Sequence, residues 1–314
     1  MESKIEDQPL KIRSTGATVA AGFRLFSGNF RRIFRATWLP ALLYALGSAL
    51  YTESAMTAIT QVMHTLGPAA LPYAQGLTQQ YLMQSGMMLL DLVVTVVLMS
   101  YVFHMLTCHR TEGAIPYPAR WWSLPESHSL TRTMASAGVW VVIHIVLGAI
   151  VSAVAYFGVV RQSLTLIGGS LVLVLIATCL LLPLFYPHLR FLTTADTHLG
   201  SLLRDGYRQG LRHWGYIFSV LFVVLLLAAV ILSVTMLPAI VLIMAGMKSE
   251  TGTLTGDPSG MPSYMGWLSV LVFTLAGFIQ AYVVMAVHFP AYYMAGSIEQ
   301  QEIQRNEKAK TTLY

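Results

Sequence analysis

Three polar residues lie inside long apolar stretches, where charged and hydrogen-bonding groups are costly and therefore informative. Asp91 and His144 fall in the second and third stretches, and Gln280 falls in the last one. With a rise of about 1.5 Å per residue, Asp91 lies about 12 Å from the outer end of its stretch. His144 lies about 15 Å from the inner end of the next stretch. In a hydrocarbon core of about 30 Å these depths nearly coincide, so an Asp91–His144 contact is possible between neighbouring helices.

Two interpretations of the Asp91–His144 pair remain open. As a functional pair it is a proton relay or a coupling site, and Gln280 lines the same path through the membrane. As a structural group, the Asp91 carboxyl is capped by Thr95, one helical turn away, and by water, and it holds helices together.

Three histidines and a cysteine lie where apolar stretches end at the inner side. His104 and Cys108 are one helical turn apart, and His188 and His288 end two further stretches. A metal would need ligands from elsewhere in addition to the His104–Cys108 pair, so we favour hydrogen bonds from these side chains to the last helical carbonyls. We predict no metal ligands and no cofactor.

Recognisable catalytic motifs are missing from the sequence. It contains no glycine-rich phosphate loop, no His-Glu-x-x-His, no Gly-x-Ser-x-Gly and no paired carboxylates within an apolar stretch. We therefore predict no catalytic residues. A membrane enzyme with a site around His104, His188 and His288 is kept as an alternative.

The composition identifies the elements that must position these residues. Of the 314 residues, 55% are hydrophobic and 11% are charged, whereas soluble domains carry about 25% charged residues. We predict an all-α fold, a polytopic transmembrane helix bundle, because six stretches are long enough to cross a bilayer. They lie at about 36–56, 83–106, 134–159, 164–187, 216–240 and 266–292. Residues 52–82 are predicted to form an outer loop.

The distribution of basic residues predicts the orientation. With six spans, 17 of the 19 Lys and Arg residues fall on one side, and only Arg161 and Lys248 fall on the other. This bias predicts a multi-pass protein of the cytoplasmic (inner) membrane with both termini cytoplasmic. The net charge of +5 therefore reports topology rather than nucleic-acid binding. The predicted divisions are a polar tail (1–15), a membrane domain (16–298) and a second polar tail (299–314).

An internal repeat occurs at an offset of 184 residues. Gly22-Phe23-Arg24 corresponds to Gly206-Tyr207-Arg208, and His104 corresponds to His288. The predicted parallel units cover about 16–110 and 200–294, and they flank a central hairpin at about 134–187. Each unit consists of a basic helix, an outgoing span, an outer loop and a returning span.

The two helices that begin these units are predicted to be basic and amphipathic. Apolar residues recur at helical spacing in each, and the arginines lie off that stripe. Such helices suit the membrane surface, either as anchors for the next span or as a face for anionic lipid headgroups or a membrane protein partner. The arginines concerned are Arg24, Arg31, Arg35, Arg204, Arg208 and Arg212.

The Gly-aromatic-Arg pattern, followed by Asn29-Phe30 or His213-Trp214 and then a span, resembles uncharacterised six-helix integral membrane proteins common in Bacteroidetes. The C-terminal run from Ala291 to Glu299 is similar to that group as well. A fainter similarity exists to the membrane domain of bacterial glycerophosphodiester phosphodiesterases. The resemblance implies an architecture and no activity, because the soluble phosphodiesterase domain is absent from this sequence.

Three functional hypotheses follow from the sequence. The favoured one is a non-catalytic accessory or scaffold protein of the membrane, because little polar machinery lies within the spans. A small transporter or lipid-handling protein that uses Asp91, His144 and Gln280 is the second. The inner-interface histidine enzyme is the third.

Overall fold

The computed structural model describes residues 8–65, 71–117, 126–194, 199–254, 256 and 260–311. Over these residues the chain is helical and contains no strand. The helices are α1 (Thr15–Gly28), α2 (Phe30–Thr65), α3 (Leu71–Glu112), α4 (Ser127–Val160), α5 (Leu164–Leu181), α6 (Phe185–Thr193), α7 (Leu199–Arg212), α8 (Trp214–Thr235), α9 (Leu237–Leu254) and α10 (Met265–Thr311), with a 3₁₀ turn, Leu182–Leu184, between α5 and α6.

Six segments of the described chain are long and apolar enough to cross a membrane, which confirms the predicted fold class and number of spans. The protein is therefore a multi-pass membrane protein with an all-α bundle. The segments are Phe30–Ala55, Leu82–Glu112, Ser127–Gly158, Leu164–Thr193, Trp214–Thr235 and Met265–Thr311.

The predicted outer loop at 52–82 differs from the structure, in which α2 continues to Thr65 and α3 begins at Leu71. Residues 54–65 contain neither Gly nor Pro, so no residue ends the helix there. Pro72 stands at the second position of α3, where a missing backbone N–H costs little. Residues 66–70, at the tip, lie outside the described chain.

The fifth apolar stretch is broken near Pro238, as its sequence predicts. Helix α8 ends at Thr235, Met236 makes a turn, and α9 restarts at Leu237. Proline lacks the N–H for a continuous helix, and its ring clashes with the preceding turn. The buried residue Ala239 of α9 packs with Ala49 of α2 and Phe273 of α10.

The best-packed part of the molecule surrounds the last helix at the end where both termini lie. Every residue from Phe289 to Ile298 of α10 is buried. The segment before α1 lies across this stretch, where the Arg13 backbone N–H donates to Ser297 Oγ at 3.0 Å. We call this the terminal end of the bundle, and the opposite end the distal end.

The hairpin of α4 and α5 lies at the periphery. The two helices are joined at the distal end by Arg161, Gln162 and Ser163, and Gln162 has a φ of 51°. In the most apolar window of α4, 0% of the residues are buried inside the protein. Its apolar side chains therefore face lipid, as expected for a span at the edge of a bundle.

Candidate functional site

Asp91 faces α2 rather than α4. A Cβ atom placed on Gly47 of α2 would lie 3.8 Å from Asp91 Oδ1, so the carboxyl lies against this glycine. Oδ1 is buried and has no hydrogen-bond partner among the described residues. Oδ1 therefore accepts no hydrogen bond from Thr95, the residue that the sequence suggested as a cap for the carboxyl.

His144 is exposed and turned back onto its own helix. Its Nδ1 lies 2.7 Å from the carbonyl oxygen of Trp140, one turn earlier in α4. Gln280 lines a cavity between α2, α9 and α10. Asp91, His144 and Gln280 thus have different neighbours in the structure, although the depths predicted for Asp91 and His144 nearly coincide.

His188 and His288 both lie next to the Phe103 ring. The His288 ring centroid is 5.5 Å from that of Phe103, and the His188 centroid is 6.2 Å away, both edge-on. The two histidines predicted to lie at one level are thus brought to one aromatic residue of α3. His288 also uses its Nδ1 on its own helix, 2.8 Å from the Val284 carbonyl oxygen.

His188 joins α6 to α4 through a short polar cluster. Ser136 Oγ lies 2.6 Å from His188 Nδ1, and the Trp140 indole N–H donates to the same nitrogen at 3.0 Å. Because an indole N–H can only donate, Nδ1 is an acceptor and the imidazole proton is on Nε2. Ser136 is buried, so this cluster braces two helices and does not present a serine to a substrate.

His104 makes a separate cluster at the terminal end of α3. Its Nε2 lies 3.8 Å from Cys108 Sγ, and its Nδ1 lies 3.4 Å from Glu126 Oε2. Thiol, imidazole and carboxylate stand in the order of a nucleophile, its base and an orienting acid, but both separations are longer than good hydrogen bonds. Within the described parts of the chain, no three His, Cys, Asp or Glu side chains converge to hold a metal ion.

The two amphipathic helices have equivalent bounds. Helix α1 is Thr15–Gly28 and α7 is Leu199–Arg212, each of 14 residues, and the second begins and ends 184 positions after the first. The following spans, α2 and α8, begin at Phe30 and Trp214, again 184 positions apart. How far each repeat unit extends beyond these helices stays a prediction.

In each amphipathic helix, a glycine lies in close contact with a proline of a neighbouring helix. A Cβ atom on Gly22 would lie 2.3 Å from the backbone nitrogen of Pro290, and one on Gly206 would lie 2.6 Å from Cβ of Pro187. Gly210, one turn further, has the same relation to Pro183, at 2.3 Å from its carbonyl oxygen. These backbones approach closer than any side chain would permit, so each helix has one seating position.

Hydrogen bonds from both helices and their following spans fix the same arrangement. The Thr18 hydroxyl of α1 lies 2.6 Å from the Tyr216 hydroxyl of α8. The Tyr207 hydroxyl of α7 donates to the Leu180 carbonyl oxygen at 3.1 Å, and the Trp214 indole donates to that of Cys179 at 3.0 Å. The aromatic residues of the predicted apolar stripes therefore anchor the helices to the bundle.

The six predicted basic residues fall into two groups. The side chains of four are exposed on the two helices and the start of α2: Arg24, Arg31, Arg204 and Arg208. Arg35 contacts Tyr117, with its guanidinium 4.9 Å from the ring centroid. Arg212 is turned toward Glu302 of α10, with Nη1 2.8 Å from Oε2. Arg35 and Arg212 thus also contact other parts of the chain, at Tyr117 and at Glu302.

Two ion clusters lie between the last turns of α10 and its neighbours. Arg110 of α3 contacts both carboxylate oxygens of Glu299, at 2.9 and 2.8 Å, and Arg190 Nε lies 3.9 Å from the same group. The side chains of Arg110 and Glu299 are only 14% and 13% exposed. This pair is therefore largely shielded from water.

The second cluster joins α7 to α10. Glu302 accepts from Arg212 and lies 2.8 Å from His213 Nε2. Glu302 is about 55 Å along α10 from its start, well past a hydrocarbon layer of about 30 Å. Burial alone would raise the pKa of this carboxyl, but hydrogen bonds from His213 and Arg212, together with their positive charge, hold the pKa below its usual value.

The predicted polar C-terminal tail, 299–314, is helical as far as Thr311. Within it, Glu299 and Glu302 of α10 are packed against neighbouring elements. Within the predicted N-terminal tail, Arg13 stacks on Tyr293, 4.7 Å from the ring centroid. Both tails thus contribute to the core of the terminal end.

Sequence reasoning missed Tyr293, Glu299 and Glu302. Polar side chains near the end of a span were assigned to a tail because hydropathy falls there. One signal was available: two acids three residues apart, on one helix face, on the side of the membrane predicted to hold 17 of the 19 Lys and Arg residues. Such acids are the natural partners of the surrounding arginines.

Comparison with known proteins gives no match: no protein-family model, no curated protein and no solved structure is significantly similar to this chain. The resemblance to the Bacteroidetes six-helix proteins and to the phosphodiesterase membrane domain therefore stays a prediction.

Proposed function

We propose that the protein is a non-catalytic accessory or scaffold protein of the cytoplasmic membrane, with both termini in the cytoplasm. Its working surface is the pair of basic helices α1 and α7 at the terminal end. This surface faces anionic lipid headgroups and the acidic face of a membrane protein partner.

The observation that carries the proposal is the rigid seating of the two basic helices. Gly22 and Gly206 lock their backbones onto Pro290 and Pro187, while Arg204 and Arg208 of α7 remain exposed. A helix that served only as a flexible anchor would not need a backbone contact this close. A surface that must present arginines in a fixed arrangement does benefit from it.

The membrane interior gives less support to transport. Asp91 faces Gly47, His144 bonds to its own helix, and Gln280 lies on a separate cavity. A proton or ion path needs polar groups in sequence across the bilayer, and these three groups face different neighbours.

Neutralising the exposed arginines of α7 is expected to release a protein partner. In Arg204→Gln/Arg208→Gln, two cations are removed, each worth about 1 kcal/mol near an anionic surface. The combined loss corresponds to roughly 30-fold weaker binding. The measurement is native mass spectrometry of the protein extracted from cells directly into membrane nanodiscs, with the partner's stoichiometry scored.

The matched control is Arg161→Gln/Lys248→Gln, which removes the same charge from the distal end. This variant is expected to retain the partner at wild-type stoichiometry. The accessory role is wrong if the protein is extracted alone in wild type and in both variants, or if both double variants lose the partner equally.

The proposed orientation predicts one-sided labelling of engineered cysteines. In a background without Cys108 and Cys179, Lys248→Cys at the distal end is expected to react with an impermeant maleimide on intact spheroplasts. Lys310→Cys in α10 is expected to react only after the membrane is permeabilised. Both positions are exposed, so protein packing does not block either one. The reverse pattern contradicts the orientation.

A further inference from the structure

A cavity of about 330 Å³ lies between α2, α9 and α10. Met236, at the break between α8 and α9, and Ile240 of α9 line it together with residues of α2 and α10. Its wall is mostly apolar, including Met236, Ile240 and Phe273, and it carries three polar side chains: Ser48, Thr52 and Gln280. All three belong to segments long and apolar enough to cross the membrane.

The polar groups of this cavity differ in how they are satisfied. Thr52 donates its hydroxyl to the Ser48 carbonyl oxygen at 2.8 Å. The hydroxyl of Ser48 and the carboxamide of Gln280 make no hydrogen bond to any part of the chain that the structure describes. In a hydrocarbon layer, such groups are costly unless a ligand or water satisfies them.

The size of the cavity and the charge of its lining residues limit the kinds of ligand that it can bind. Its volume is about ten times the roughly 30 Å³ that one water molecule takes in the liquid, and it is in the lower range of small-molecule pockets. No charged side chain lines it. A ligand that fits therefore has a hydrocarbon body and a neutral polar group that can form a hydrogen bond with Ser48 or Gln280.

We propose that this cavity binds a neutral membrane amphiphile whose oxygen atom accepts a hydrogen bond from Gln280, with Ser48 as a second donor. The shared chemistry is a carbonyl oxygen on a hydrocarbon body, as in the ester of an acyl lipid or the ring carbonyl of a quinone. The proposal is independent of the surface formed by α1 and α7.

The test compares amphiphile retention in three variants. Gln280→Leu and Ser48→Ala each remove one hydrogen-bonding group from the cavity. Thr274→Val is the matched control, because Thr274 lies on the same helix but lines a different groove with Leu42 and Leu46. Each protein is purified in detergent, and its retained amphiphiles are counted by native mass spectrometry and identified by their mass after organic extraction.

Wild type and Thr274→Val are expected to retain one amphiphile per protein. Gln280→Leu is expected to weaken amphiphile binding about tenfold, as for the loss of one hydrogen bond worth about 1.4 kcal/mol, and so to retain less than one amphiphile per protein, with Ser48→Ala intermediate. The extracted mass separates an acyl lipid from a quinone. Retention of nothing by wild type, or equal retention by wild type, Gln280→Leu and Ser48→Ala, overturns the proposal.

Discussion

Gly22→Ala is expected to lower the free energy of unfolding by about 2–3 kcal/mol, the upper part of the range for overpacking a well-packed contact. The new Cβ atom would lie 2.3 Å from the Pro290 backbone nitrogen and 2.4 Å from its Cα. These atoms belong to a helix whose residues Phe289 to Ile298 are all buried, so they cannot move aside cheaply. Helix α1 must then lift from α10.

The control for this substitution is Gly16→Ala in the same helix. A Cβ atom on Gly16 meets nothing within 4 Å, and alanine favours a helix more than glycine does. Gly16→Ala is therefore expected to leave stability unchanged or to raise it by up to about 1 kcal/mol. Both variants are measured by unfolding in mixed micelles with increasing SDS.

Helix α7 allows the same comparison at a second close contact. Gly210→Ala is expected to be destabilising like Gly22→Ala, because its Cβ atom would lie 2.3 Å from the Pro183 carbonyl oxygen, whereas Gly200→Ala meets no neighbour. If Gly22→Ala unfolds at the same SDS fraction as Gly16→Ala, α1 is not seated on Pro290 as described.

Hydropathy and charge were sufficient to predict the six spans, because the bilayer imposes a minimum length of apolar chain on every spanning helix. The break near Pro238 was indicated by the residue type alone, because proline lacks a backbone N–H and its ring clashes with the preceding turn. The contact of Gly22 with Pro290 joins residues 268 positions apart. No local pattern specifies such a pairing.

The Asp91–His144 hypothesis illustrates a different limit. Counting residues from a span end fixes the depth of a side chain but not the direction it faces about its helix axis. The face that α4 turns toward the bundle is the one that carries Ser136 and Trp140, which form hydrogen bonds with His188 of α6. His144 bonds to the Trp140 carbonyl oxygen of its own helix and remains exposed, while Asp91 faces Gly47.

Glu299 should contribute more to the stability of the terminal end than any predicted site residue. Glu299→Gln is expected to lower the free energy of unfolding by about 3 kcal/mol, the lower part of the range for removing one partner of a buried ion pair. The loss arises because Arg110, only 14% exposed, keeps its charge and loses both carboxylate contacts. Arg190, 30% exposed, recovers part of its hydration.

Two further variants separate the ion pair from a general effect of substitution. Glu307→Gln changes an exposed acid of the same helix and is expected to cost less than about 0.5 kcal/mol. Arg110→Gln/Glu299→Gln removes both charges, and it is expected to be at least about 1 kcal/mol more stable than Glu299→Gln alone, because no charge is then left buried without its partner. A double variant no more stable than Glu299→Gln would instead assign the loss to packing. The contact between Arg110 and Glu299 would then stabilise the terminal end through packing rather than through charge.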